Sequence, residues 1–111
     1  MITKWVLVAV LIGTITGYTD SCGEPPWGIT ANGEETSWGM CACSDDWPFG
    51  TVFEIEDLGT FVCQDRGGLV QERWQIDLWY PTYQRAREHG VWRRWVKVYV
   101  KIEIPRGLQI R

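Results

Sequence analysis

The stretch GTFVCQDRGGLVQERWQIDLWY, from Gly59 to Tyr80, decides how this chain folds. It reads as a strand over Thr60 to Gln64, a tight turn at Asp65-Arg66-Gly67-Gly68, and a second strand ending in Gln75-Ile76-Asp77-Leu78-Trp79-Tyr80. The paired glycines supply the positive φ or close backbone approach that such a turn needs. Strand side chains alternate between faces, so Trp74, Ile76, Leu78 and Tyr80 share one face, expected to be core. Gln75, Asp77 and Trp79 share the other, which sets a carboxylate beside a large aromatic, as in sugar-binding clefts. Asp65 ends the first strand, and two aspartates at the ends of neighbouring strands are placed to converge on one site. The plainer reading makes Asp65 a turn cap through its own backbone and Asp77 a solvated strand residue.

Working outward, Asp57-Leu58-Gly59 closes a hairpin onto a strand over Thr51 to Glu56, with Phe53 and Ile55 on one face. Before it lie a turn, Asp45-Asp46-Trp47-Pro48-Phe49-Gly50, and a short strand over Gly39 to Ser44. Asp20 to Trp38 is a long Gly/Pro/Ser/Glu/Thr-rich loop, of the kind used for binding or pinned by disulfides. Thr14 to Thr19 alternates like a first strand. Downstream, Thr82 and Gly90 frame one helix as N-cap and terminator, with His89 in a structural role in its last turn. Trp92 to Ile104 is the clearest strand: Val96, Val98, Val100, Ile102 and Ile104 face one way, Trp95, Lys97, Tyr99, Lys101 and Glu103 the other. Arg93 and Arg94 form either a basic rim or a solvated pair, and residues 105–111 are a tail after Pro105. Short strands with one helix predict an all-β fold, a small disulfide-stabilised barrel over residues 15–104.

The chain has 111 residues, enough for one domain and too few for two cores. Its net charge of −3 lacks the basic footprint of a nucleic-acid binder. Eight tryptophans exceed what a core this small can fully bury, so they are either partly buried around it or form an aromatic surface for a flat-faced ligand such as a glycan. Cys22, Cys41, Cys43 and Cys63 predict two disulfides in an oxidising compartment, with three pairings open. Cys41 and Cys43 share a strand face, so each is expected to pair outside that segment. Zinc fits poorly, because Cys-x-Cys lacks the usual ligand gap and His89 is the only histidine. No metal or cofactor is expected.

At the N-terminus, Lys4 precedes the apolar run Trp5 to Ile12, which is too short to span a bilayer. Residues 1–14 therefore read as a signal peptide or as a first apolar strand. The expected product is a secreted, periplasmic or cell-wall-associated monomer without a stable membrane span.

From Trp47 to Val100 the order of motifs resembles the 3D (three-aspartate) domain family. The carriers are Trp47-Pro48-Phe49-Gly50-Thr51, Gly59 with the strand into Asp65-Arg66-Gly67-Gly68, Ile76-Asp77-Leu78-Trp79, and the helix with Ala86 and Gly90 before a valine-rich strand. Thr16-Gly17-Tyr18 and Thr30-Ala31-Asn32-Gly33 look like the family's opening strand and first loop. The resemblance implies a six-stranded double-psi β-barrel, like that of membrane-bound lytic transglycosylase A, rare lipoprotein A, expansins and family 45 endoglucanases. It also implies a cell-wall polysaccharide, peptidoglycan or a related glycan, as partner. Asp65 matches the family's second aspartate and Asp77 its third, which in the transglycosylase is the catalytic acid/base. The frame of the first aspartate lands on Cys43, leaving Asp45 or Asp46 as substitutes or a disulfide in place of a polar contact. One extra residue separates Asp65 from Asp77. Asp20 sits where the endoglucanases carry an acid.

The resemblance thus implies glycan cleavage of the lytic transglycosylase type, with Asp77 as acid/base, Asp65 positioning it, and Tyr18, Trp74 or Trp79 stacking on sugars. Hydrolysis would call on Asp20 as a second carboxylate. The rival expectations are an expansin-like binding module and a disulfide-stabilised structural protein of a phage or secreted assembly.

Overall fold

The computed structural model describes residues 1–20 and 28–107. Its elements are β1 (Ile2–Tyr18), β2 (Met40–Ala42), β3 (Val52–Ile55), β4 (Gly59–Asp65), β5 (Gln75–Trp79), α1 (Tyr83–His89) and β6 (Trp92–Ile104). The six strands close into a barrel in the order β1-β5-β2-β4-β3-β6.

The barrel is a mixed sheet. β1 runs parallel to β5 and β2 parallel to β4, while β2/β5, β3/β4, β3/β6 and β1/β6 are antiparallel. Consecutive strands β1 and β2 are therefore antiparallel, with β5 inserted between and bonded to both. The same holds for β2 and β3, with β4 between them. Two such interposed-strand loops make the double-psi topology. They also correct the expectation that the strands on either side of Asp65-Arg66-Gly67-Gly68 are neighbours: β4 and β5 are separated in the sheet by β2.

The core is set by alternation. Phe53 and Ile55 of β3, Phe61 and Cys63 of β4, Ile76 and Leu78 of β5, and Val96 and Val98 of β6 are buried and pack around Ile15. Trp74, expected on this core face, lies just before β5 and is exposed, so the face begins at Ile76. The valine row of β6 also leaves the core early: Val100 is half-buried and Ile102 exposed, because β1 and β6 continue beyond the barrel as a two-stranded ribbon paired from Ile2↔Ile104 to Ile15↔Trp92. The apolar run Trp5 to Ile12 is extended in this ribbon.

The helix follows its sequence signals. Thr82 accepts a hydrogen bond from Arg85 N (3.2 Å), and Gly90 ends the helix at φ 69°, a conformation that favours glycine. α1 packs on β1 at Gly17, where an added Cβ would lie 2.9 Å from Ala86 O. Tyr80 Oη and His89 Nδ1 share a 2.7 Å hydrogen bond, and the His89 ring stacks on Trp92 at 5.3 Å, which holds this end of the barrel together.

Cys43 and Cys63 form a disulfide across a separation of 20 residues, in keeping with an oxidising compartment. Cys41, expected in a second bridge, is instead a free thiol buried in the core, and Cys22 lies outside the described residues. Among the described residues no helix is long and apolar enough to cross a membrane.

Candidate functional site

Three strand ends and two loops meet in a cleft of about 1010 Å³. Its walls include Tyr18 and Asp20 from the end of β1, Thr30 and Ala31 from the following loop, Asp65 at the end of β4, and Asp77 within β5. Asp20, Asp65 and Asp77 thus share one cavity.

Asp77 is placed by register. Parallel pairing sets Thr16 of β1 beside it, and Thr16 Oγ1 donates to Asp77 Oδ1 at 2.9 Å. On its other flank Asp77 pairs with Ala42 of β2, which also pairs with Asp65 of β4. A small side chain at position 42 leaves the space between the two carboxylates open. The β2/β4 register shifts between Cys41↔Cys63 and Ala42↔Asp65, so Gln64 is an extra residue. Such a bulge re-aims the residue that follows it, here Asp65.

Asp65 is tethered on every side. Tyr18 Oη donates to its Oδ2 (2.8 Å), and the backbone N–H groups of Ala31 (2.8 Å) and Arg66 (2.9 Å) donate to its Oδ1. The expected turn cap is present in the Arg66 contact, but as one of three donors. Asp77 is tethered only through Oδ1; its Oδ2 accepts no hydrogen bond among the described residues.

The electrostatics differ in the same way. Burial raises the Asp77 pKa most, the Thr16 hydrogen bond lowers it, and the neighbouring charge of Asp65 raises it, leaving it pushed up to about 6. Burial, followed by Asp65, drives the Tyr18 phenol far above its ordinary value, so it stays a donor. Burial and the charges of Asp77 and Asp65 also push the Cys41 thiol up, which keeps it protonated and unreactive.

The aromatic residues take other places. Tyr18 lines the cleft with its hydroxyl committed to Asp65. Trp79 is 9% exposed and lies outside the cleft lining; its Nε1 donates to Asp20 Oδ1 at 2.9 Å, so it holds an acid in place. Trp74 is exposed away from the cleft.

Cys43, where the family frame places a first aspartate, is bonded to Cys63. Asp45 and Asp46 do not line the cleft: Asp45 is solvent-exposed and pairs with Arg66 Nε (3.1 Å), and Asp46 contacts Ser44.

Two residues central to the site were missed in the sequence. Thr16 carries a usable signal, since it shares a strand face with Tyr18, but its contact depends on which strand lies alongside. Arg66 reads as a turn residue, yet its guanidinium contacts Cys43 Sγ (3.1 Å), Cys63 Sγ (3.3 Å) and Trp47 O (2.8 Å) and covers the Phe49 ring at 4.0 Å. It ties the disulfide to the segment that carries Asp65. Among the described residues, no group of three or more His, Cys, Asp or Glu side chains is arranged to hold a metal ion. No protein-family model matches the chain, and no curated protein matches it.

Proposed function

We propose that this protein cleaves a cell-wall glycan, peptidoglycan or a close relative, by lytic transglycosylase chemistry with Asp77 as the single acid/base. The observation that carries this reading is the contrast between the two carboxylates. Asp77 has a raised pKa of about 6 and one oxygen without a partner among the described residues, whereas Asp65 has both oxygens occupied. A carboxyl protonated near neutral pH is a competent general acid.

In the proposed reaction Asp77 gives its proton to the glycosidic oxygen as the C1–O bond breaks. A hydroxyl of the same sugar then attacks C1, and its proton returns to the Asp77 carboxylate, leaving an anhydro sugar. One group serves both steps, so no second free carboxylate is needed. Asp65 acts as a positioning residue whose charge helps keep Asp77 protonated and favours the positive charge that develops on the sugar ring. Such a substrate places the protein in the periplasm, at the cell wall or outside the cell, where its disulfide persists.

The test is incubation of the oxidised protein with peptidoglycan sacculi, beside Asp77→Asn, with mass spectrometry of released fragments. Anhydro-muropeptides from the wild type alone support the reading. Reducing-end products would replace it with hydrolysis and direct attention to Asp20, which lines the same cleft. Co-sedimentation without release, unaffected by Asp77→Asn, would make the protein a binding module.

A further inference from the structure

The β1/β6 ribbon has nothing to do with the cleft, which lies at the Tyr18 end of β1, while the ribbon's tip is at the Ile2 end of a molecule 51 Å long. Register places Trp5, Leu7, Val10, Ile12 and Trp95 on one outward face, and each is roughly half exposed. At the tip the opposite face is bare as well, with Ile2, Val6 and Ile102 exposed. A contiguous apolar patch on a small protein marks an interaction surface.

Charge says what covers it. Strands β1 and β6 carry five basic residues, Lys4, Arg93, Arg94, Lys97 and Lys101, against one acid, Glu103. Arg94 pairs with Asp57 (3.4 Å) and Lys101 with Glu103 (3.2 Å), the latter a surface contact that a lipid phosphate can replace. The whole chain has 14 acidic and 11 basic residues, so the rest of the molecule is strongly acidic. Aliphatic and tryptophan side chains with lysines beside them match the boundary between acyl chains and headgroups, where indoles settle and lysine stems extend toward phosphates. A second copy of the chain is a poorer match, because it would bring two basic ribbons together.

We propose that the β1/β6 ribbon docks on an anionic lipid surface, seating Trp5, Leu7 and Trp95 at the headgroup level with Lys97 and Lys101, which share their face, against lipid phosphates. The docking is interfacial. β1 pairs with β5 only from Thr14 onward, so residues 2–13 have backbone groups free on that edge that hydrocarbon would not satisfy. The acidic body and the cleft then project away from the surface.

The experiment floats the full chain with vesicles of equal parts phosphatidylglycerol and phosphatidylcholine, and with phosphatidylcholine alone. Flotation with the anionic vesicles only, weakened by salt, is expected. Lys97→Ala and Lys101→Ala should each lower binding about fivefold, and Trp5→Ala about tenfold, while Trp74→Ala, exposed elsewhere, leaves it unchanged. The substituted side chains stand on the exposed ribbon, so unfolding midpoints should match the wild type and separate lost docking from lost fold. Absence of flotation, equal flotation with both vesicles, or unchanged binding by Trp5→Ala overturns the proposal. So does a solution dimer that Trp5→Ala dissociates, which would make a second copy the occupant.

Discussion

Asp65 and Asp77 stand on opposite flanks of the same residue, Ala42, one from β4 and the other from β5. The short strand between them brings two carboxylates into one cleft without letting them touch. Among the described residues, three donors hold Asp65 and one holds Asp77. The less tethered acid carries the raised pKa, and that asymmetry yields measurable consequences.

The Asp77 pKa of about 6 in the fold lies above the ordinary carboxyl value of 3.8. Folding therefore favours its protonated form, a contribution fully present below pH 3.8 and lost as pH rises through about 6. Asp77→Asn should thus gain more stability at about pH 8 than at about pH 3.5. Partial solvent access reduces the difference to on the order of 2 kcal/mol. Urea unfolding at both values measures it, and an equal change at both would contradict the burial argument. Glycan cleavage of the proposed kind should fall as pH rises through the same window.

Thr16 provides the hydrogen bond that lowers the Asp77 pKa. Thr16→Val should raise that pKa further and cost about 1 kcal/mol of stability, whereas Thr16→Ser should leave both close to wild type. Carboxyl ¹³C NMR titration reads the shift; a fall in Thr16→Val would show that another group controls Asp77.

Tyr18→Phe strips Asp65 Oδ2 of its side-chain donor. The expected loss is about 1–3 kcal/mol, the cost of a part-buried acceptor left without its partner. Repeated in an Asp65→Ala background, the same substitution should cost far less. Equal losses in the two backgrounds would place the effect in ring packing.

Removing the disulfide by Cys43→Ala with Cys63→Ala should cost about 3 kcal/mol, given the 20-residue separation it spans. It also takes away two contacts of Arg66. Cys41→Ala, by contrast, should leave the Cys43–Cys63 bridge intact in a non-reducing peptide map. A Cys41-containing disulfide in the wild type would contradict the assigned pairing.

What the sequence determined by itself was local. Period-two alternation placed Ile76 and Leu78 in the core and set Asp77 on the opposite face, because a strand leaves its side chains no other choice. Thr82 and Gly90 bounded the helix through their own backbone chemistry. Tertiary structure decided which strands lie side by side, since ladder hydrogen bonds are alike for every strand and carry no address. Only the insertion of β2 between β4 and β5 put Ala42 between the aspartates, and only the parallel β1/β5 pairing brought Thr16 to Asp77. The extra residue at Gln64 aims Asp65, and tertiary structure made Cys43 the partner of Cys63 although the ladder sets Cys41 beside Cys63. Alternation says which way a side chain points along its own strand; what it meets depends on a neighbour distant in the chain.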